Sequence, residues 1–196
     1  MSERAVFLDR DGTLNRERGF VTDVGELEVL PGVPQALGLL RRAGFRCIVL
    51  TNQSGIARGL YDEARLARVH EALQARVGHA LDAILHCPHH PEAAGRPYGT
   101  ECACRKPAPG LLHEAVRLYP ALDLARSFLV GDSARDLLPA AGTPLRTILV
   151  RSGKPWEEHL AELRRRASPP AHVAEDLPGA VAWILGGLDG ECGTGR

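Results

Sequence analysis

Two pairs of aspartates stand where they could act on one substrate. Asp9 and Asp11 lie in the segment FLDRDGTLN, and Asp132 and Asp136 lie in LVGDSARD. A turn or a helix cap explains one aspartate after an apolar run, but not a matching second pair. Three or four converging carboxylates would repel one another unless a cation lay among them, and hard oxygen ligands favour Mg²⁺. The pattern therefore predicts a magnesium site.

A second set of candidate ligands lies in one proline- and glycine-rich loop. Cys87 and His89 form a pair spaced i, i+2, and Cys102 and Cys104 form another. Three thiolates and one imidazole make a closed tetrahedral zinc site with no position for water, so this zinc would be structural. His90 is the competing imidazole. The chain has five cysteines, and an odd number fits a metal site better than a disulfide framework.

The elements that must position these residues alternate between strands and helices. Leu66, Val69, Leu73 and Val77 recur at helical spacing, as do Val33, Leu37 and Leu40. Apolar runs that look like strands buried on both faces are Ala5–Leu8, Cys47–Leu50, Ala83–Leu85, Phe128–Val130, Thr147–Val150 and the residues around Val173. This order predicts an α/β fold, with a Rossmann-like parallel sheet, helices on both faces and right-handed crossovers. Ligands of such a sheet bind beyond the carboxyl ends of its strands.

Composition excludes several classes of protein. The chain has 196 residues, and its 24 Lys+Arg balance its 24 Asp+Glu, so nothing indicates a strongly basic nucleic-acid binder. We expect one domain over residues 1–185 and a flexible glycine-rich tail over 186–196. No apolar run approaches ~20 residues, and the first residues read as a strand rather than a signal peptide. A cytoplasmic monomer without a membrane or nucleic-acid partner is expected.

Four motifs in this order resemble those of the haloacid dehalogenase superfamily. They are DRDGTLN, TNQSGIARG, CRKP and VGDSARD, where a serine, Ser133, stands after Gly-Asp and relatives can have lysine. With CPHHP and CACRKP, the chain is similar to the zinc-containing D-glycero-D-manno-heptose-1,7-bisphosphate 7-phosphatases, whose sister group is the histidinol-phosphate phosphatases. The match runs from about Ala5 to about Trp183. It implies a phosphatase of small sugar bisphosphates in nucleotide-activated heptose and lipopolysaccharide biosynthesis, and it favours His89 over His90 as the zinc ligand.

The resemblance also implies a role for each catalytic residue. Asp9 would be the nucleophile that forms an aspartyl-phosphate, and Asp11 would protonate the leaving oxygen and then activate water. Thr51 and Lys106 would donate to the phosphoryl oxygens. Mg²⁺ would be held by Asp9, Asp132 and the backbone carbonyl of Asp11. Asp136 is expected to orient Lys106 or a metal-bound water rather than to bind Mg²⁺.

The spacing of the motifs leaves no room for a cap domain, so short loops must select the substrate. Arg105 is the natural reader of a second anionic end, because guanidinium binds phosphate bidentately. By the family match, the substrate-binding residues are Glu17, Arg18, Gly19, Phe20, Thr51, Asn52, Gln53, Ser54, Arg105 and Lys106. Histidinol phosphate, another phosphomonoester such as a nucleic-acid 3′-phosphate, and a non-catalytic zinc-stapled module stay open as alternatives.

Overall fold

A computed structural model of the chain describes residues 2–191 as one six-stranded parallel sheet flanked by helices. The strands are β1 (Arg4–Leu8), β2 (Phe45–Asn52), β3 (Ala83–Cys87), β4 (Phe128–Gly131), β5 (Arg146–Val150) and β6 (His172–Ala174). They lie in the order β3-β2-β1-β4-β5-β6, and every neighbouring pair is parallel. All six strands predicted from apolar runs are present, and the α/β class is confirmed.

Within residues 2–191, six α-helices cover the two faces of the sheet. They are α1 (Val33–Arg42), α2 (Glu63–Arg76), α3 (Gly110–Leu118), α4 (Ala134–Leu137), α5 (Trp156–Arg165) and α6 (Leu177–Glu191). Buried side chains of α1, α2 and α6 pack with Val6 and Leu8 in one core cluster. Those of α3, α4 and α5 pack with Ala5 and Phe7 in the other. Successive side chains of a strand point to opposite faces, so β1 contributes to both layers and is apolar from Ala5 to Leu8.

The sequence order of the strands reverses at the centre of the sheet. From β1 the chain runs outward through β2 to β3, and it then returns to β4 on the other side of β1. In open α/β sheets the ligand crevice forms at this switch point, beyond the carboxyl ends of the strands. Asp9 directly follows β1, and Asp132 directly follows β4. The topology therefore brings the two aspartate-bearing segments side by side.

Local signals at the helix termini agree with these boundaries. Asp62 caps α2, because its side chain accepts a hydrogen bond of 2.7 Å from the backbone N–H of Arg65. Helix α1 begins at Val33, with Gly32 in a left-handed conformation at φ 76° before it. Between β2 and β3 the chain forms α2, and no separate cap domain is present among residues 2–191.

The carboxyl-terminal segment differs in part from the predicted tail. Residues 186–191 continue α6, which ends at Glu191, and residues 192–196 lie outside the described part of the chain. The domain boundary near residue 185 stays a prediction. None of the helices in residues 2–191 has the length and apolar character that crossing a bilayer requires.

Candidate active site

Asp9 lies at the base of the crevice and is almost fully buried, with 6% of its surface exposed. The Nζ of Lys106 donates to its Oδ1 at 2.6 Å. Burial raises the pKa of Asp9 to about 6, and the negative charge of Asp136 adds to this, although Lys106 opposes it. A buried carboxylate held against a cation in this way can act as an oxygen nucleophile.

Lys106 connects Asp9 to Asp136 and is itself only 2% exposed. Its Nζ lies 2.8 Å from Asp136 Oδ1 and donates to the carbonyl of Leu50 at 2.6 Å. Burial opposes its charge, but Asp136 and Asp9 together raise the pKa of Lys106. Asp136 is therefore in contact with Lys106, and its role in orienting this lysine stays a prediction. Since the ammonium stays charged, it can neutralise charge beside the nucleophile.

Asp11 has a different environment from Asp9. Its carboxylate accepts hydrogen bonds from Arg10, from Asn15 Nδ2 at 2.9 Å and from Gln53 Nε2 at 3.0 Å. Burial opposes ionisation, but the charge of Arg10 and these hydrogen bonds outweigh it and lower the pKa of Asp11. The pKa of Asp9 is thus raised and that of Asp11 is lowered, as expected for two residues with different chemical roles.

Three carboxylates meet closely enough to share one cation. One oxygen each of Asp9, Asp132 and Asp136 lies within 4.8 Å of the others. Asp132 is fully buried, and burial together with Asp136 and Asp9 raises its pKa to about 8. The backbones of Gly12 and Gly153 lie against its side chain, where a Cβ on either residue would collide with the carboxylate. Hard oxygen donors held in this way fit Mg²⁺.

The lysine-bearing segment is held in register by Asn52. The Nδ2 of Asn52 donates to the carbonyl of Lys106 at 3.0 Å, and its Oδ1 accepts from the backbone N–H of Lys106 at the same distance. Gln53 is also occupied, since its amide donates to Asp11 and to Thr51 Oγ1 at 2.9 Å. The side chains of Asn52 and Gln53 therefore support neighbouring residues rather than project freely.

A cavity of about 500 Å³ opens above these groups. It is lined by most of the residues that the sequence predicts for the site: Asp9, Asp11, Glu17, Gly19, Phe20, Thr51, Asn52, Ser54, Arg105, Lys106 and Asp136. Arg18 and Gln53 do not line it, because Arg18 pairs with Glu28 at 2.7 Å on the surface and Gln53 lies beneath.

Four lining residues were not predicted from the sequence: Arg58, His90, Arg135 and Lys154. Lys154 lies 2.7 Å from Glu17 Oε2 and 3.2 Å from Asp132 Oδ2, so it joins the predicted substrate loop to the predicted metal ligand. A signal for it exists in the sequence. Lys154 belongs to the polar segment RSGK that follows β5, at the same edge of the sheet as the other motifs.

The four predicted zinc ligands come together at the end of β3. The Sγ of Cys104 lies 3.0 Å from that of Cys87 and 3.2 Å from that of Cys102, and it lies 3.4 Å from Nδ1 of His89. The corners of a tetrahedron around Zn²⁺ with ordinary Zn–S bonds are about 3.8 Å apart. The sulfur–sulfur distances of 3.0 and 3.2 Å are shorter than this edge. A donor set of three sulfurs and one imidazole gathered at one point is nevertheless the type that binds zinc.

The competing imidazole, His90, is engaged elsewhere. Its Nδ1 accepts from the backbone N–H of Glu92 at 3.2 Å, and its Nε2 lies 3.0 Å from Arg58 Nη2. Arg105 Nη1 donates to the carbonyl of His89 at 3.1 Å. The side chain of Arg105 is therefore bound to the backbone of the ligand loop, residues 88–104.

The chain is similar to known phosphatases over nearly its whole length. A family model described as HAD-hydrolase-like matches residues 103–180. A D-glycero-beta-D-manno-heptose-1,7-bisphosphate 7-phosphatase of Photorhabdus laumondii subsp. laumondii is 39% identical over 184 residues, covering 92% of this chain and 96% of that protein. The protein of the same name from Escherichia coli strain K12 is 42% identical over 181 residues, covering 90% and 93%.

A solved structure has the same fold. The D,D-heptose 1.7-bisphosphate phosphatase from B. bronchiseptica, crystallised with magnesium and phosphate, superimposes with a TM-score of 0.79 at 37% identity. The alignment covers 94% of this chain and 99% of that one.

Proposed function

The chain belongs to the D-glycero-beta-D-manno-heptose-1,7-bisphosphate 7-phosphatase family of haloacid dehalogenase-like hydrolases, and we propose that it removes the 7-phosphate of this bisphosphate. The product would retain the 1-phosphate and serve the formation of nucleotide-activated heptose. One observation carries the proposal. The Asp9–Lys106–Asp136 cluster lies at the base of a cavity whose rim carries three arginines.

The first half of the reaction uses Asp9. A carboxylate oxygen attacks the 7-phosphorus, a P–O bond to Asp9 forms and the bond from phosphorus to the sugar oxygen breaks. Lys106 and Thr51 donate to the phosphoryl oxygens while charge moves through them. Water then attacks the aspartyl-phosphate, so that inorganic phosphate leaves and the Asp9 carboxylate is restored.

Asp11 moves the protons of both halves. It gives a proton to the departing sugar oxygen and takes one from the attacking water, so the two steps balance. Arg10, Asn15 and Gln53 hold its carboxylate in one orientation. Ionised Asp11 is the correct form for the second step, and the arrival of an anionic phosphate favours its protonation for the first.

Mg²⁺ would be held by Asp9, Asp132 and the backbone carbonyl of Asp11. When bound, it neutralises charge so that an anionic carboxylate and an anionic phosphate can approach each other. The close packing of Gly12 and Gly153 on Asp132 keeps that carboxylate pointed into the cluster.

The charge of the cavity favours a bisphosphate over histidinol phosphate. Arg58, Arg105 and Arg135 line the cavity. Burial lowers the pKa of Arg105 most, and the positive charges of Arg135 and Arg58 lower it further. Neither Arg105 nor Arg135 pairs with a carboxylate among the side chains that the structure describes. Such a site attracts a second phosphate and repels the amine of histidinol phosphate.

The zinc, the compartment and the oligomeric state also belong to this proposal. Zinc at Cys87, His89, Cys102 and Cys104 would stabilise the loop that carries Arg105. The donor set requires reduced thiols, which supports a cytoplasmic location. Action as a monomer remains a prediction.

Phosphorus NMR of the product tests which ester is cleaved. We expect the wild-type enzyme with Mg²⁺ to convert heptose 1,7-bisphosphate into inorganic phosphate and a product whose remaining phosphorus couples to the anomeric proton. A product with its phosphate on C7 would contradict the proposed regiochemistry.

A further inference from the structure

Arg10 lies between the two aspartates of the first motif and is buried, with 1% of its surface exposed. Its Nε and Nη2 both donate to Asp11, at 3.1 Å to Oδ2 and 2.9 Å to Oδ1. This two-pronged contact fixes the plane of the carboxylate. The orientation of Asp11 therefore depends on the orientation of the guanidinium.

The remaining end of this guanidinium meets a histidine from another element. Nη1 of Arg10 lies 3.3 Å from Nε2 of His70, which belongs to α2. Burial and the charge of Arg10 lower the pKa of His70 to about 3, so the imidazole is neutral and its Nε2 can accept. His70 is half-buried.

We propose that His70 is a positioning residue for the phosphatase reaction: by accepting from Arg10, it fixes the guanidinium fork that orients Asp11. The proposal rests on the proposed role of Asp11. Because Arg10 is buried, water cannot easily replace the lost acceptor, and a buried charged donor without a partner is costly. Replacing His70 would let the Arg10 guanidinium rotate toward other acceptors. The Asp11 carboxylate would then move with it.

His70 is supported from its outer side by a second contact. Its ring packs edge-on against His86 at a centroid distance of 5.7 Å, and His86 Nε2 lies 2.9 Å from Glu63 Oε2. These residues line a surface cavity of about 670 Å³ that is separate from the site cavity. His70 therefore touches neither the substrate cavity nor Asp11 directly, and its effect must pass through Arg10.

The test uses two substitutions at His70 and one matched control on the same helix. His70→Leu fills the space without an acceptor, while His70→Gln restores an acceptor near the position of Nε2. Glu71→Leu places the same side chain at the next residue, which is exposed and lines the same outer cavity. Each protein is assayed with Mg²⁺ on the phosphomonoester that the wild type cleaves best.

We expect His70→Leu to lower kcat about tenfold with KM changed less than about twofold, because an effect on Asp11 acts on the chemical steps rather than on binding. His70→Gln should recover most of kcat, and Glu71→Leu should match the wild type. Beryllium fluoride, which traps at Asp9 without proton transfer, should bind all four proteins equally.

Three results would overturn the proposal. They are an unchanged kcat in His70→Leu, a loss that His70→Gln does not recover, and a parallel loss of beryllium fluoride binding that indicates general damage to the site. The proposed function fails separately, through the substrate preference of the wild type.

Discussion

Asp9 and Lys106 form the most informative pair at the scale of single residues. A buried carboxylate bonded to a buried ammonium at 2.6 Å places the proposed nucleophile beside a positively charged group. Such a pair costs desolvation free energy, and replacing it by apolar residues is often neutral or stabilising. Its presence at a strand end beneath an open cavity is therefore better explained by chemistry than by stability.

Asp9→Asn tests the nucleophile. We expect kcat to fall by more than about 10³-fold and beryllium fluoride trapping to vanish, because an amide cannot form the acyl-phosphate. The fold should persist, since Lys106 keeps its contact with Asp136. Near-normal turnover, with deamidation excluded by mass spectrometry, would refute the assignment.

Arg105→Ala tests whether Arg105 binds the second phosphate of the substrate. Loss of one charge-assisted contact costs about 1.5–3 kcal/mol, or about 10- to 150-fold in kcat/KM on the heptose bisphosphate. A small generic phosphate ester should be spared, and Arg65→Ala, outside the site cavity, serves as the control. An equal loss on both substrates would mean that Arg105 serves the transferring phosphoryl group.

Magnesium affinity should increase with pH. In the metal-free protein the pKa of Asp132 is raised to about 8, so below that pH a proton must leave before the carboxylate can bind Mg²⁺. Calorimetry between pH 6.5 and 8.5 should show affinity rising by up to about tenfold per pH unit, with proton release. A pH-independent affinity without proton release would contradict this assignment.

The raised pKa of Asp132 also determines how the stability of the metal-free protein changes with pH. The folded protein keeps a proton at Asp132 that the unfolded chain has already lost above its usual pKa of 3.8. This contribution to stability is complete below pH 3.8 and is lost as the pH rises toward about 8. Mg²⁺ should therefore raise the melting temperature more at pH 8.5 than at pH 6.5.

Sequence motifs predict those site residues that lie in segments at strand ends, and they miss residues that support the site from a helix. Asp9, Thr51, Lys106 and Asp132 each belong to a recognisable segment at the crevice. His70 contacts a residue 60 positions away, and no local pattern encodes that pairing. Such contacts depend on how a helix is rotated against the sheet, which spacing alone does not fix.

At the scale of elements, the ligand loop after β3 is the segment whose stability depends most on a bound metal. Residues 88–104 contain one short 3-10 helix, Pro91–Ala93, and otherwise turns and irregular backbone. Little apolar burial is available there, and Cys87 is the one ligand in the set that is fully buried. A metal would supply the stability that packing does not.

Cys102→Ser tests this dependence. We expect zinc content and activity to fall together while far-UV circular dichroism changes little, because the sheet does not rely on the loop. Cys47→Ala, which removes a buried thiol of β2 outside the donor set, should retain its zinc. Elemental analysis that finds no zinc in fully active wild-type protein would end the idea.

The strands were predicted more easily than the helix ends. Each central strand is an apolar run with no competing pattern. The predicted strand Ala5–Leu8 therefore differs from β1 by a single residue, Arg4, at its start. Helix α6 extends through glycines that the sequence suggests would belong to a tail. Glycine lowers helix propensity by about 1 kcal/mol per residue, a weak bias that tertiary packing overrides.

At the scale of the whole molecule, the sheet order explains why distant motifs form one site. Alternating elements predict a parallel sheet, but they do not predict that β1 lies between β2 and β4. That order places the ends of β1, β2 and β4 around one crevice. Asp9, Thr51 and Asp132 therefore lie together as the proposed nucleophile, hydrogen-bond donor to the phosphoryl group and metal ligand. The absence of a separate cap domain from residues 2–191 leaves substrate selection to the cavity rim.

The most direct test of this account is a phosphate-release panel on the wild-type enzyme with Mg²⁺. The substrates are heptose 1,7-bisphosphate, histidinol phosphate and 3′-phosphorylated DNA, and kcat/KM is measured for each. The arginine-lined cavity predicts a preference for the heptose bisphosphate of at least about tenfold, equal to one charge-assisted contact or more. A preference for histidinol phosphate or DNA, or no release from the heptose bisphosphate, would contradict the central claim.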